Sequence, residues 1–352
     1  MKILYAIQGT GNGHLSRARD IIPILQKKGT LDILVSGIQA DISLPYPIKY
    51  QCKGLSFIFG KTGGVDLMGT YLKNHSMRLI KEVKSLPIEK YDLIINDFEP
   101  ISAWAAHLKK KPCIALSHQS AVLSKNAPVP TKKDRMGRFI LENYAPATSR
   151  YGFHFARFDD STYTPVIRQQ IREINVSDKG HYTVYLPSYS DEKLIKTFTK
   201  IKEINWQVFS KHNSKPCNIE NVSIKPINNE AFVESMASCS GMLCGAGFET
   251  PAEALYLNKK LMVIPMKNQY EQYCNAAALE AMGVPVIKNI KKRQIPAIED
   301  WIQNGSVIDV DFPDMTEGII DLIVEKHAQP PAKPIHQFLE KTFELIPGLK
   351  NQ

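Results

Sequence analysis

The chain has 352 residues, of which 43% are hydrophobic and 22% charged, and its formal net charge is +9. This composition is typical of a soluble globular protein, and the length suits two domains. The charge favours an anionic partner, but no nucleic-acid-binding motif accompanies the basic residues, so nucleic acid is not expected. No stretch approaches the roughly 20 apolar residues that cross a bilayer.

The six cysteines show neither a C-x-x-C pair nor a zinc-like spacing with histidine. In a chain of this size we expect reduced thiols in a core and no disulfide framework. The apolar start, Met1 to Ile7, is too short for a signal peptide and predicts a buried strand. We therefore predict a cytoplasmic protein, and its basic charge leaves a peripheral contact with the inner face of the membrane open.

The first half of the chain alternates strand-like and helix-like segments, which predicts a mainly parallel sheet with helices on both faces. Helices are expected over about 15–28 and 101–109. A Rossmann-like domain is predicted over residues 1–165. The expected strands are Ile3–Ile7, Leu31–Val35, Asp92–Asn96, Cys113–Ser117 and Tyr151–Phe158.

A second α/β unit follows, predicted over residues 176–330, with a polar hinge at about 160–180 around Pro165. A last amphipathic helix, about 335–346, is expected to bring residues 335–352 back onto the first domain. The expected strands are Tyr182–Leu186, Trp206–Phe209, Gly241–Cys244 and Leu261–Pro265. The expected helices are Asp191–Ile204, Glu230–Ala237, Pro251–Tyr256 and Glu271–Met282.

Two doubly wound domains that face each other would present the carboxyl ends of their strands to one cleft, where ligands of such sheets bind. The first loop at this cleft follows the first strand and opens a helix, so its backbone N–H groups could approach an anion. It lacks the Lys-Ser/Thr ending of a P-loop and the spacing of a dinucleotide fingerprint. The loop is Gly9-Thr10-Gly11-Asn12-Gly13-His14.

The second loop also joins a strand to a helix and predicts a phosphate cradle. Backbone N–H groups of Ala246, Gly247 and Phe248 and the hydroxyl of Thr250 are the expected donors. Pro251 fits the first helical turn. A second polar run begins at Glu271, and helix capping is the alternative explanation for its acids and amides. The two segments are Gly245-Ala246-Gly247-Phe248-Glu249-Thr250-Pro251-Ala252-Glu253 and Glu271-Gln272-Tyr273-Cys274-Asn275-Ala276.

Together these motifs resemble the donor-binding signature of the glycosyltransferase family 28 and UDP-glycosyltransferase superfamily, and the His14 loop resembles its acceptor-side loop. The resemblance implies a GT-B fold and a nucleotide sugar, UDP-linked in the family, as co-substrate. It implies that Glu253 binds the ribose and that Thr250 with the Ala246–Gly247 backbone holds the diphosphate. It further implies that Glu271 and Gln272 contact the transferred sugar and that Asn275 supports the turn.

Two positions depart from the family pattern. Gly245 stands where plant-type members carry a histidine on the diphosphate. Glu249 places a carboxylate beside the expected diphosphate, which is repulsive, although the same charge favours a helix N-terminus. These departures leave the individual phosphate contacts open.

His14 is the expected general base, because a helix N-terminus disfavours the imidazolium form. Asp97 follows another strand at the same sheet edge and matches the acid that orients this histidine in the superfamily. Glu99 is the second candidate for that role, and His118 is a further cleft candidate. A helix-capping role is the alternative for His14.

The leaving diphosphate is expected to be stabilised by backbone N–H groups and a helix N-terminus, without a metal or another cofactor. Asp309-Val310-Asp311 spells the acidic pair of metal-dependent glycosyltransferases, but it lies outside both loops and is interpreted as a surface turn. The predicted reaction is inverting transfer of a hexose or N-acetylhexosamine to an unidentified acceptor hydroxyl. The alternatives are a nucleotide-sugar epimerase of the same fold and a non-catalytic nucleotide-sugar or glycan-binding protein.

Overall fold

The structure is a computed structural model that describes residues 1–37, 44–54 and 76–328. Its described part contains two sheets, the first formed by the first half of the chain and the second by the second half, and both consist largely of buried apolar strands. Runs such as Ile3 to Ile7, fully buried, are typical of parallel strands that helices cover on both faces.

The first sheet has seven strands in the order β3-β2-β1-β4-β5-β6-β7, all parallel. The chain order therefore reverses between β1 and β4, as in a doubly wound fold. The strands are β1 Lys2–Gln8, β2 Thr30–Ser36, β3 Tyr50–Cys52, β4 Leu93–Asp97, β5 Ile114–Leu116, β6 Ser149–Phe153 and β7 Thr162–Tyr163. The helices of this half are α1 Asn12–Lys28, α2 Ser76–Ser85, α3 Pro100–Leu108, α4 His118–Val122 and α5 Arg135–Tyr144.

The second sheet has the order β10-β11-β9-β8-β12-β13, and only the β10–β11 pair is antiparallel. Its order reverses between β8 and β12. The strands are β8 His181–Tyr185, β9 Asn205–Ser210, β10 Cys217–Ile219, β11 Val222–Pro226, β12 Gly241–Gly245 and β13 Lys260–Ile264. The helices from the linker onward are α6 Gln169–Arg172, α7 Asp191–Phe198, α8 Asn229–Ser238, α9 Glu249–Tyr256, α10 Tyr270–Ala281, α11 Ile295–Asn304 and α12 Thr316–His327.

Most predicted elements are present within one or two residues of their expected ends. The helix predicted to run to Ile204 ends at Phe198, and the strand predicted to run to Phe158 ends at Phe153. Strands β10 and β11 were not predicted, because three- and five-residue strands at a sheet edge carry a weak apolar pattern.

The segment predicted as a polar hinge is anchored in the core. Val166, Ile167 and Ile171 are buried in an apolar cluster that also contains residues of both sheets. The backbone N–H of Gln169 donates to Asp20 of α1 at 3.1 Å. The linker therefore packs against both halves.

A helix returns to the first domain earlier in the chain than predicted. Helix α12, assigned from sequence to the second domain, packs against α1. Asp321 forms an ion pair with Lys28 at 2.5 Å, and the ring Nε2 of His327 lies 2.9 Å from the hydroxyl of Tyr151. The predicted final helix at 335–346 lies outside the described residues.

All six cysteines lie within the described residues and are free thiols. Cys52 and Cys217 are half-buried and the other four are buried. Among the described residues, no helix is both long and apolar enough to cross a membrane. Over the same residues, no group of three or more His, Cys, Asp or Glu side chains is placed to hold a metal ion. Asp309 and Asp311 are exposed and lie outside the helices and strands.

Candidate active site at the cleft between the two sheets

The point where strand order reverses places two loops of each sheet at the cleft. In the first sheet these loops follow β1 and β4, and in the second they follow β8 and β12. Ligands of doubly wound sheets bind at this crevice because the loops on either side of it diverge. Both glycine loops of the sequence lie at these positions.

His14 and Asp97 meet because their strands are neighbours. Asp97 ends β4 and pairs with Ile7 of β1, and His14 lies in the first turn of the helix after β1. The ring Nδ1 of His14 donates to Asp97 Oδ1 at 2.8 Å, since an ionised carboxylate only accepts. This leaves Nε2 as the nitrogen that can take a proton.

The pKa of His14 is shifted in the direction opposite to the one expected from the helix N-terminus alone. Burial lowers the pKa of His14. The charge of Asp97 and its hydrogen bond raise the pKa, and the net effect places it above its ordinary value. For Asp97, burial raises the pKa, while Arg17 and His14 lower it to below the ordinary value. Asp97 is therefore ionised, and it increases the basicity of His14.

Arg17 completes a cluster that the sequence did not predict. Its side chain is 1% exposed and its Nη2 donates to both oxygens of Asp97, at 2.8 and 2.9 Å. The same Nη2 lies 3.2 Å from His14 Nδ1. The other terminal nitrogen, Nη1, donates to Glu249 of the second domain. The spacing of His14 and Arg17 could have indicated this cluster, because residues at i and i+3 share one face of a helix.

Glu99, the second candidate for orienting His14, has another role in the structure. Its carboxylate is buried and caps α3, accepting from the backbone N–H groups of Ile101 at 2.6 Å and Ser102 at 2.7 Å. Burial raises the pKa of Glu99, and these hydrogen bonds partly offset that effect. Asp97, and not Glu99, therefore bonds His14.

The first glycine loop is shaped by close packing. Gly9 donates its N–H to Ser36 at 2.6 Å, and Gly11 has φ of 89°, a conformation that favours glycine. Asn12 begins α1. A side chain at Gly13 would collide with the carboxylate of Glu249, so this glycine gives the second domain access to the start of α1.

A cavity of about 100 Å³ lies at the carboxyl ends of β8, β12 and β13. Four residues predicted to bind the donor line it: Gly245, Gly247, Thr250 and Gln272. A Cβ built at Gly247 meets nothing within 4 Å, so the backbone borders open space. Gln272 Oε1 accepts from the N–H of Met266 at 2.8 Å, which fixes the side chain at the rim.

Asn275 holds the second glycine loop through a hydrogen bond and also links the domains. It is fully buried and its Nδ2 donates to the carbonyl of Ala246 at 3.1 Å. Its Oδ1 lies 2.7 Å from Nε2 of His118. The His118 ring stacks on Phe248, with ring centroids 3.9 Å apart. Burial lowers the pKa of His118. His118 thus packs at the interface between the domains.

Glu271 also contacts the first domain. Its Oε2 accepts from Nε2 of Gln119 at 3.0 Å, and the same Gln119 nitrogen lies 3.4 Å from His14 Nε2. Gln119 therefore stands between the proposed base and a residue predicted to bind sugar. Its neighbour His118 was predicted as a cleft residue, whereas Gln119 was not.

Two groups predicted to bind the donor, the Ala246 N–H and the Glu253 carboxylate, already have hydrogen-bond partners within the protein. The Ala246 N–H donates to Ile264 at 3.2 Å as part of the sheet, so it does not provide the free phosphate donor expected of it. Glu253 is buried, and its oxygens accept from Arg168 Nε at 2.5 Å and Nη2 at 2.8 Å. Ribose binding by Glu253 would have to use acceptor sites that Arg168 leaves free, and it stays a prediction.

The sequence comparison identifies the family of this protein. The family model for glycosyl transferase family 1 matches residues 1–304. The chain belongs to this family. As a member of this family it is a glycosyltransferase. The comparison with curated proteins found no significant match.

Solved structures with the same fold include three glycosyltransferases. The glycotransferase of kitacinnamycin has 13% identity and a TM-score of 0.57, with 93% of this chain and 95% of that chain covered. Arabidopsis thaliana UGT89C1 complexed with UDP has 12% identity and a TM-score of 0.54, with 97% and 98% covered. MurG of Acinetobacter baumannii has 14% identity and a TM-score of 0.55, with 92% and 99% covered. At these identities the likeness shows the fold, and it confirms the predicted GT-B architecture.

Proposed function

We propose that this glycosyltransferase moves a hexose or N-acetylhexosamine from a UDP-linked sugar to an acceptor hydroxyl, with inversion and without a metal. The observation that carries the proposal is the His14–Asp97 pair, joined at 2.8 Å, at the same cleft as the cavity lined by Gly245, Gly247 and Thr250. A base and a phosphate cradle on opposite sides of one cleft are what a direct displacement at the sugar requires.

In this mechanism His14 Nε2 takes the proton of the acceptor hydroxyl as its oxygen attacks the anomeric carbon. Asp97 holds the other ring nitrogen and stabilises the imidazolium that forms. The acceptor–sugar bond forms while the bond from the sugar to the diphosphate breaks, and the electron pair leaves on the phosphate oxygen. One displacement inverts the anomeric centre.

The Gly247–Thr250 segment would stabilise the negative charge that develops on the leaving diphosphate. Backbone N–H groups at the start of α9 and the Thr250 hydroxyl are preorganised donors of the kind that favour such charge. The Arabidopsis structure with the same fold is complexed with UDP, which supports this nucleotide. The resemblance to family 28 and a cytoplasmic location, which leaves peripheral contact with the inner face of the membrane open, are further parts of this proposal.

Binding of UDP is the first test. UDP at about 100 times its dissociation constant should stabilise the protein by roughly 2.7 kcal/mol, which a thermal-shift assay detects. Thr250→Val, which keeps the volume but removes the hydroxyl, should reduce this shift. Thr199→Val is the matched control, because the Thr199 hydroxyl donates to the Ile195 carbonyl of α7 and Thr199 does not line the cavity. If neither UDP nor a UDP-sugar shifts the wild type, the proposal fails.

Loss of the base is the second test. His14→Ala should lower transfer, measured as UDP release from a UDP-sugar with an acceptor panel, by about 10²- to 10⁴-fold. The UDP dissociation constant should change little, because His14 does not line the donor cavity. Transfer within tenfold of the wild type would contradict the assignment of His14 as the base.

A further inference from the structure

Glu249 poses an electrostatic problem for any diphosphate in the proposed donor site. It is the first residue of α9, between Phe248 and Thr250, and its side chain is 25% exposed. A carboxylate at this position repels a diphosphate at the same helix N-terminus. Because charges act strongly in a partly buried cleft, an uncompensated Glu249 would weaken binding of the donor.

Arg17 compensates this charge from the other domain. Its Nη1 donates to Glu249 Oε1, while Nη2 binds Asp97. Burial lowers the pKa of Arg17, but the charges of Asp97 and Glu249 raise it well above its ordinary value, so the guanidinium stays charged. Gly13 leaves the space that lets the Glu249 carboxylate reach this cation. One guanidinium thus serves a carboxylate on each side of the cleft.

We propose that Arg17 is a positioning residue of the donor site, which neutralises Glu249 so that the glycine loop can accept a diphosphate. The proposal rests on the proposed nucleotide-sugar function. Arg17 links the His14–Asp97 pair to the loop at the start of α9, so the base is held in place by the same side chain that prepares the phosphate cradle.

The proposal predicts an effect confined to the diphosphate. Uridine and UDP share the base and ribose, so the ratio of the uridine to the UDP dissociation constant reports the phosphate contribution alone. A role of Arg17 in structure only would weaken both ligands together and leave this ratio unchanged. Calorimetry on the full chain measures UDP, and competition measures uridine.

Arg17→Met should lower the ratio by about tenfold or more, because Glu249 then faces the diphosphate as an unpaired charge. Glu249→Gln should raise it by about tenfold, since it removes the repulsion and leaves the cation. The double variant, Arg17→Met with Glu249→Gln, should return the ratio to near the wild-type value. Asp321→Asn is the matched control, because it removes another ion pair of α1, with Lys28, and Asp321 does not line the donor cavity.

The outcomes separate this proposal from the one it rests on. If the wild type binds neither UDP nor uridine, the proposed function fails and this inference fails with it. If UDP binds and Glu249→Gln leaves the ratio unchanged, only the role of Arg17 is overturned. Glu249→Gln keeps the test valid even where Arg17→Met does not fold, because it leaves the buried Arg17–Asp97 pair intact.

Discussion

His14 is the residue whose ionisation should control transfer, because only its neutral ring can accept a proton. Three charged groups face it: Asp97 and Glu249 raise its pKa, and Arg17 lowers it. Burial lowers the pKa as well, and the net direction is upward. The protonated, inactive ring therefore persists to a higher pH than for an ordinary histidine, whose pKa is about 6.5.

The pH profile tests this balance. We expect kcat/KM to fall as pH drops through the raised pKa of His14, with a midpoint above about 6.5. Asp97→Asn removes the strongest group that raises this pKa and keeps Arg17, so the midpoint should move to lower pH while the maximal rate falls about 100-fold or more. Initial rates over a pH series measure both effects. A midpoint that moves to higher pH would contradict the assignment.

At the scale of elements, helix starts carry most of the polar contacts at the cleft. Helices α1, α4, α9 and α10 begin with, or within a few residues of, His14, His118, Glu249 and Glu271. Parallel strands direct the following helices to begin at one edge, so caps and site residues occupy equivalent places in the sequence. Glu99 illustrates this overlap, since it follows β4 as closely as a site residue would and serves as a cap.

Glu99→Ala should therefore affect stability and leave nucleotide binding unchanged. Loss of a side-chain cap costs about 1 kcal/mol, which urea unfolding of the variant would show. Asp134→Ala is a matched comparison, because Asp134 caps α5 through the Gly137 N–H at 2.8 Å. Loss of transfer at unchanged stability would show that Glu99 acts in the reaction.

At the scale of the whole molecule, the linker connects the domains through charge as well as packing. Arg168 is 13% exposed and Glu253 is 4% exposed, and the two form a bidentate pair. Burial raises the pKa of Glu253, and Arg168 partly offsets this effect. Any ribose contact by Glu253 would therefore share the carboxylate with the linker.

Breaking this pair should destabilise the protein strongly. Arg168→Met leaves a buried carboxylate without its partner, a change that typically costs about 3–5 kcal/mol. Adding Glu253→Gln should recover part of the loss, because the remaining group is then neutral. Equilibrium unfolding in urea measures both variants. Equal stability of Arg168→Met and the wild type would show that the pair contributes little.

The sequence alone determined the fold class and the two loops of the site. Long apolar strands such as Ile3–Ile7, separated by amphipathic helices, dictate a parallel sheet because their periodicity reports burial locally. The glycine loops mark strand-to-helix turns for the same local reason. The resemblance of these loops to a glycosyltransferase signature then led to His14, Asp97, Thr250 and Gln272, which lie at the cleft in the structure.

Only the tertiary structure decided how the charges are paired. Arg17 and Glu249 are 232 residues apart, and Arg168 and Glu253 are 85 apart, so no local pattern connects them. The pKa of His14 likewise depends on Asp97 and Glu249, which are distant in the chain, on Arg17 one turn along α1, and on burial. Electrostatic energy depends on the distances between charges in the folded protein and on their exposure to solvent. The spacing of residues along the chain determines neither quantity.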